Sequence, residues 1–340
     1  MKKHNYSAGP CILPQEVFEK SAQAILNFNN SDLSILEISH RSKDFVAVME
    51  EARALALELL GLEGKGYQAL FLAGGASMEF LMTPYNLMKE NGKAAYLDSG
   101  TWASAAIKEA KFFGETIIVA SSKNENYNHV PKGYSIPADA DYFHCTSNNT
   151  IFGTQMKEFP TLDIPMVCDM SSDIFSRNID FSKFGIIYAG AQKNMGPAGT
   201  ALVVVKEEIL GKNGRTIPSM LDYAKHIKAE SMYNTPPVFP VYASLLTLQW
   251  LKNLGGIPAI EKINNAKADL LYTEIDRNPL FKGTAVVEDR STMNATFLLD
   301  TPLHTDTFNA MLKEAGVVGL PGHRSVGGYR ASMYNALPLE

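Results

Sequence analysis

Apolar residues recur at helical spacing from Gln15 to Phe28 and again from Asp44 to Leu60, which predicts two amphipathic helices. Between and beyond them lie short runs that are apolar almost throughout: "YQALFLAGG", "KAAYLDS", "ETIIVASS", "DYFHCTSN", "IPMVCDMSS", "GIIYAGA" and "TALVVVK". Runs without polar alternation read as strands covered on both faces. Helical patterns at "SMEFLMTPYNLM", with Ser77 as candidate cap, and at "WASAAIKEAKFF" separate the first of them. Strands interleaved with helices predict an α/β fold with a largely parallel sheet. Before Gln15, Gly9, Pro10 and Pro14 keep the chain extended or turned. The texture changes from about residue 215, where "YASLLTLQWLKNL" and "AIEKINNAKADLLYTEID" are helical. "MNATFLLD", a helix at "HTDTFNAMLKEAG" and "YRASMYN" then suggest a small second α/β unit. The expected division is a large domain over 15–256 and a small one over 257–340 with 1–14. A site is expected in the cleft, at the carboxyl ends of the large-domain strands.

Composition narrows the function without choosing one. The chain has 340 residues, 46% hydrophobic and 20% charged, with a net charge of −5. That balance argues against a nucleic-acid partner, which needs clustered Lys and Arg. No apolar run is long enough to span a bilayer. "MKKHNYSAGPCILP" has a basic start but no apolar stretch, so it does not read as a signal peptide. Cys11, Cys145 and Cys168 make no C-x-x-C pair, which predicts a reducing cytoplasm and no metal site. Each reads as a small buried residue.

Candidate chemistry sits at strand ends. Lys193 follows "IIYAGAQ" and is flanked by small residues on both sides, in "GIIYAGAQKNMGPAGTALVVV". A solvated lysine needs no such setting; one that must meet a flat, bulky partner does. Asp169 ends "IPMVCD", where it suits either a site carboxylate or a helix cap. Pyridoxal phosphate needs both types: a lysine for its aldehyde and a carboxylate to keep its ring nitrogen protonated. "LAGGASMEF" adds two glycines before a helix, so backbone N–H groups could cradle a phosphate, although such turns also occur without a ligand. Trp102, one of two tryptophans, could stack on a ring or fill the core. "SHRS" and "GHRS" each set His beside Arg, a pairing suited to phosphate or to two solvated patches.

Taken together, "YSAGPCILP", "EISHRSKDF", "LFLAGGAS", "LDSGTWAS", "SNNTIFGTQ", "DMSSDI", "GAQKNMGPAGTALVVV", "SMYNTPPVF" and "GHRSVGGYRASMYNALPLE" resemble the phosphoserine aminotransferases, class-V enzymes dependent on pyridoxal phosphate. The likeness runs in order from residue 5 to 340, and relatives continue beyond it into one last helix. It implies fold type I, the aspartate-aminotransferase-like architecture. It implies that Lys193 anchors the cofactor, that Asp169 faces the ring nitrogen and that Trp102 stacks on the ring. Thr150 would bond the ring hydroxyl. Gly75, Ala76 and Gln192 would hold the cofactor phosphate, with Asn234 and Thr235 reaching it from the partner of a homodimer. Position 76 offers only its backbone N–H, where several relatives carry a larger residue. Arg330 would fork onto the substrate α-carboxylate. His40, Arg41, His323 and Arg324 would bind the substrate phosphate, some of them across the interface.

The reaction so implied moves an amino group from glutamate to 3-phosphohydroxypyruvate, with the phosphorylated four-carbon analogue of pyridoxine synthesis as a further substrate in some relatives. A serine–glyoxylate type aminotransferase is the alternative and would not need the four phosphate-site cations. A cysteine desulfurase would need a late nucleophilic cysteine, and none follows Cys168. A cofactor-binding regulator would need an output domain for which length and charge leave no room.

Overall fold

Seven strands form one sheet in the spatial order Tyr67–Leu72, Ala201–Lys206, Ile186–Gly190, Met166–Asp169, Phe143–Thr146, Lys93–Asp98, Glu115–Ser121. The structure, a computed structural model, describes residues 3–339. All neighbours run parallel except Ala201–Lys206, which is antiparallel to both strands beside it. Pleating sends alternate side chains to opposite faces. Phe71, Leu97, Cys145, Cys168, Ala189 and Leu202 face one core, with the helices Lys43–Leu59 and Val238–Asn253. Leu70, Tyr96, Tyr142, Val167, Tyr188 and Val203 face the other, with Gly75–Leu87 and Thr101–Ala110. Burial on both sides is why six of these segments read as continuous apolar runs; the edge strand Glu115–Ser121 departs from the expectation, with none of its residues buried and Ile118 49% exposed.

The second face is laced with buried polar contacts. His144 Nε2 and the Tyr188 hydroxyl lie 2.7 Å apart, the Tyr96 and Tyr142 hydroxyls bond each other, and the Tyr223 hydroxyl donates to Glu79. Burial pushes the Glu79 carboxyl up to about 8 and the His144 imidazole down to about 3, since desolvation disfavours each charged form.

Local signals explain the helix starts. Ser42 caps Lys43–Leu59, its side chain accepting from Phe45 N, and Asp44 sits in the first turn. Phe45, Val48, Met49, Ala52, Leu55 and Ala56 form the buried stripe. Ser77 is not the cap it was expected to be. Gly74 caps that helix at φ 101°, and the helix already begins at Gly75. Two glycines tolerate left-handed backbone that serine would not, so the cap falls three residues earlier.

A smaller three-stranded antiparallel sheet, in the order Phe281–Gly283, Asn294–Leu299, Tyr329–Ser332, carries its own core around Phe297, Tyr329 and Ala331. The helix Gly256–Arg277 starts after Gly255, at φ 109°, and runs from one core to the other. Ile257 and Ile260 pack with the large sheet, Ala268 and Ile275 with the small one. His4–Asn5 pairs in parallel with Val317–Val318, and Tyr6 and Ile12 pack on the small core. The sequence pattern gave no sign of either Phe281–Gly283 or this two-residue pair.

Candidate active site

The strand Ile186–Gly190 ends in a single helical turn, Ala191–Asn194, that carries Lys193 at the carboxyl edge of the sheet. Lys193 Nζ donates to Thr150 Oγ1 at 2.8 Å and stands 5.5 Å from the centre of the Trp102 ring. The N-terminal segment closes over this turn. A Cβ on Gly9 would come within 3.1 Å of the Lys193 side chain, and the Cys11 thiol donates to the Lys193 carbonyl. Burial pushes the Lys193 amine below its ordinary range, with Asp169 opposing that shift and Arg330 adding to it. Burial also pushes the Cys11 thiol up to about 12, which suits a packed thiol rather than a nucleophile.

Asp169 terminates its strand and is buried. Both of its side-chain hydrogen bonds end on Oδ1, from Ser171 N at 2.9 Å and Ser171 Oγ at 2.6 Å. It therefore braces a turn, as a capping residue would, while leaving Oδ2 for another donor. Burial raises its pKa, and the Lys193 charge works against that rise. Arg330, on Tyr329–Ser332, reaches across from the small sheet and donates Nη1 to the Thr150 carbonyl at 3.3 Å. Thr150 thus stands between the lysine and the arginine.

A flat polar ligand fits what this edge leaves unused. Trp102 Nε1, Ser99 Oγ, Thr146 Oγ1 and Arg330 Nε are buried without a hydrogen-bond partner among the described residues, a costly state unless something else fills it. Gly75 has open space where a Cβ would stand, at the start of the helix Gly75–Leu87, and Ala76 and Trp102 both pack against the core on that face of the sheet. Gln192 folds back over Gly190, whose added Cβ would meet Gln192 Oε1 at 2.7 Å.

Among the described residues, no hydrogen bond ties the remaining expected residues to this cluster. His40 and Arg41 lie in a serine turn just before the Ser42 cap, with Arg41 exposed. His323 bonds Ser325 Oγ at 2.6 Å in a second turn, and Arg324 is exposed. Asn234 and Thr235 are also exposed. Asn234 lines a cavity of about 150 Å³ together with Ala73 and Gly74 of the same chain. Ser99, Thr146 and the contact of Gly9 with Lys193 were not anticipated; Gly9 was read only as part of an extended or turned segment.

Among the described residues, no helix is long and apolar enough to cross a membrane, and no group of three acidic, His or Cys side chains could hold a metal ion. The sequence profile of class-V aminotransferases matches residues 4–340. A phosphoserine aminotransferase of Flavobacterium psychrophilum is 84% identical over 340 residues, covering 100% of this chain and 96% of the relative. The solved phosphoserine aminotransferase of Bacillus circulans subsp. alkalophilus superposes with a TM-score of 0.96 at 43% identity, over 99% of this chain and 94% of its own. A pyridoxal phosphate-bound phosphoserine aminotransferase of Trichomonas vaginalis gives 0.94 at 35% identity, over 99% and 97%. By its end-to-end similarity to these proteins, the chain belongs to the phosphoserine aminotransferases, within the class-V aminotransferase family.

Proposed function

We propose that this chain binds pyridoxal phosphate at Lys193 and transfers the amino group of glutamate to 3-phosphohydroxypyruvate, yielding 2-oxoglutarate and O-phosphoserine. The observation that carries this reading is the Lys193–Thr150–Arg330 arrangement. It bonds the Lys193 amine, which stands over the Trp102 indole, to the Thr150 hydroxyl, and bonds the Arg330 guanidinium to the carbonyl of the same threonine. When bound, the cofactor supplies an aldehyde that accepts the amino group and a ring that draws off negative charge.

The residues divide the remaining work. Its lowered pKa favours the neutral form of Lys193, the form that can act as nucleophile and take the substrate α-proton. Asp169 offers Oδ2 to the ring nitrogen, and its burial strengthens that hydrogen bond. Trp102 covers the ring, and Thr150 bonds the ring hydroxyl. Gly75, Ala76 and Gln192 take the cofactor phosphate, joined by Asn234 and Thr235 of a second copy. Arg330 grips the α-carboxylate that all four substrates share. His40, Arg41, His323 and Arg324 form an anion pocket that takes either the substrate phosphate or the distal carboxylate of glutamate.

In this reading residues 15–256 form the cofactor domain, and 257–340 with 1–14 the small domain. The active unit is a homodimer, working in a reducing cytoplasm where Cys11, Cys145 and Cys168 stay unpaired. The test is a panel of keto acids of matched length with and without phosphate, glutamate being the donor. A preference for the phosphorylated member is expected. A preference for glyoxylate with serine as donor would replace this reading by the serine–glyoxylate alternative.

A further inference from the structure

We propose that Asn148 and Asn294 are positioning residues, a buried pair of amides that sets where Arg330 stands relative to Lys193. The inference rests on the assignment of the substrate α-carboxylate to Arg330. Lys193 and Thr150 belong to the edge of the large sheet and Arg330 to the small sheet, so something must fix one sheet against the other.

The two amides make that joint. Asn148 Nδ2 donates to Asn294 Oδ1 at 2.7 Å and to Ser172 Oγ at 2.8 Å. Asn148 Oδ1 accepts from Ser291 Oγ at 2.5 Å. Asn294 Nδ2 donates onward to Ser332 Oγ at 3.0 Å. Four segments meet here: the Thr150 loop, the turn after Asp169, the start of Asn294–Leu299, and the strand carrying Arg330. Asn148, Ser172, Ser291, Asn294 and Ser332 are all at most 2% exposed. An amide offers donors and an acceptor without charge, and a carboxylate or an aliphatic side chain would leave partners unpaired at a buried site.

Backbone contacts press the same joint closed. A Cβ on Gly153, at φ +73°, would lie 2.3 Å from Thr296 Oγ1 and 2.9 Å from the Asn294 carbonyl. Thr296 Oγ1 donates to the Phe152 carbonyl at 3.0 Å. The Arg330 side chain is held by little: its one hydrogen bond among the described residues goes to Thr150, and its Nε is buried without a partner. Its guanidinium is therefore placed by the two backbones on either side of the joint. Bidentate capture of a carboxylate depends on that placement.

The experiment compares Asn294→Ala, Ser332→Ala and Arg330→Lys in the holoenzyme. It reads KM and kcat for glutamate, calorimetric affinity for 2-methylglutamate, which has no α-proton to lose, and cofactor affinity of the apoprotein. Asn294→Ala is expected to raise KM and weaken 2-methylglutamate roughly ten- to a hundredfold, the size of effect a small misplacement produces. Its kcat and cofactor affinity should stay close to wild type, the mark of lost substrate binding alone. Ser332→Ala should move the same two numbers in the same direction by less, and it decides the matter if Asn294→Ala does not fold. A folded variant with wild-type affinity for 2-methylglutamate, or one that loses cofactor affinity in step, overturns the proposal. If Arg330→Lys weakens 2-methylglutamate while the other two do not, the positioning role alone falls. If Arg330→Lys has no effect, the carboxylate assignment beneath it falls as well.

Discussion

The two ends of the site are built in opposite ways. Around Lys193, one chain supplies a lysine, a threonine, an arginine, an indole and a buried carboxylate, tied by hydrogen bonds and closed over by the N-terminal segment. At the proposed anion end, Arg41 and Arg324 stand exposed on turns with few contacts of their own, and Asn234 and Thr235, proposed for the cofactor phosphate, are exposed too. The first region must hold its geometry before any ligand arrives, since proton transfer and ring contacts depend on small distances. The second has only to present charge, which acts at longer range and can be completed by a second chain. The comparison implies that mutations at the ring end will cost rate, and mutations at the anion end will cost selectivity.

Lys193→Ala tests the first half most severely. Loss of nucleophile and proton carrier together should lower turnover by at least roughly 10³–10⁴-fold. The thermal midpoint should hold or rise, because a desolvated amine is removed. Near-normal turnover would end the assignment of this lysine.

Asp169→Asn should keep the fold and the bound cofactor yet slow the chemistry by roughly a hundred- to a thousandfold, as for other lost electrostatic partners. The readout is the rate of visible absorbance change when glutamate is added. A wild-type rate would leave Asp169 only its structural role of bracing the Ser171 turn.

Arg41→Ala and Arg324→Ala address the loosely held end. Each should reduce kcat/KM for the phosphorylated keto acid roughly ten- to a hundredfold relative to an unphosphorylated one of equal length, from a charge-assisted contact of about 1.5–3 kcal/mol. Both side chains are exposed, so stability should not change. Equal losses with the two substrates would show that these arginines do not choose between them.

Subunit mixing asks whether the second chain completes that end. Lys193→Ala chains refolded with Asn234→Ala, Thr235→Ala chains should regain up to about one working site per mixed dimer if the segment reaches across. Asn234 also lines a cavity beside Gly74 of its own chain. If it serves the cofactor phosphate there, mixed dimers confirmed by differential tags will show no activity above the parents.

The smallest effect concerns how the anion-end segment is anchored. Tyr223, which opens the stretch leading to Asn234, donates to Glu79 on the helix that begins at Gly75. Burial raises the Glu79 carboxyl from 4.5 to about 8, so between those values the folded chain holds a proton that the unfolded chain releases. Stability should therefore fall as pH rises through that window. Glu79→Gln keeps an acceptor for Tyr223 and removes the titration. The gap between its midpoint and that of wild type should widen in its favour from about pH 5 to 8, reaching about a few degrees at the upper end. The same decline in both proteins would place the pH dependence elsewhere.

Much of this was legible in the sequence, for identifiable reasons. Strands buried on both faces leave continuous apolar runs, so the segments of the large sheet could be marked before their order was known. Lys193 and Asp169 were marked by position, since each follows such a run. Thr150 and Arg330 came only through resemblance, and the His–Arg pairs were legible as a chemistry suited to phosphate but not as one pocket, because nothing in their spacing shows what they face. The start of the helix at Gly75 was misjudged by favouring a serine cap over a glycine turn.

By itself, the sequence determined the strands of the large sheet and the main helices, which lysine and aspartate lie at strand ends, and which family the chain resembles. These follow from periodicity and local chemistry, both written in neighbouring residues. Only the tertiary structure decided that Ala201–Lys206 runs antiparallel between parallel strands, because an apolar run carries no direction. It alone brought Gly9 against Lys193 and Asn148 against Asn294, residues 184 and 146 positions apart. A buried amide looks like any other asparagine until its partners arrive, since its hydrogen bonds are made to groups that local sequence does not contain.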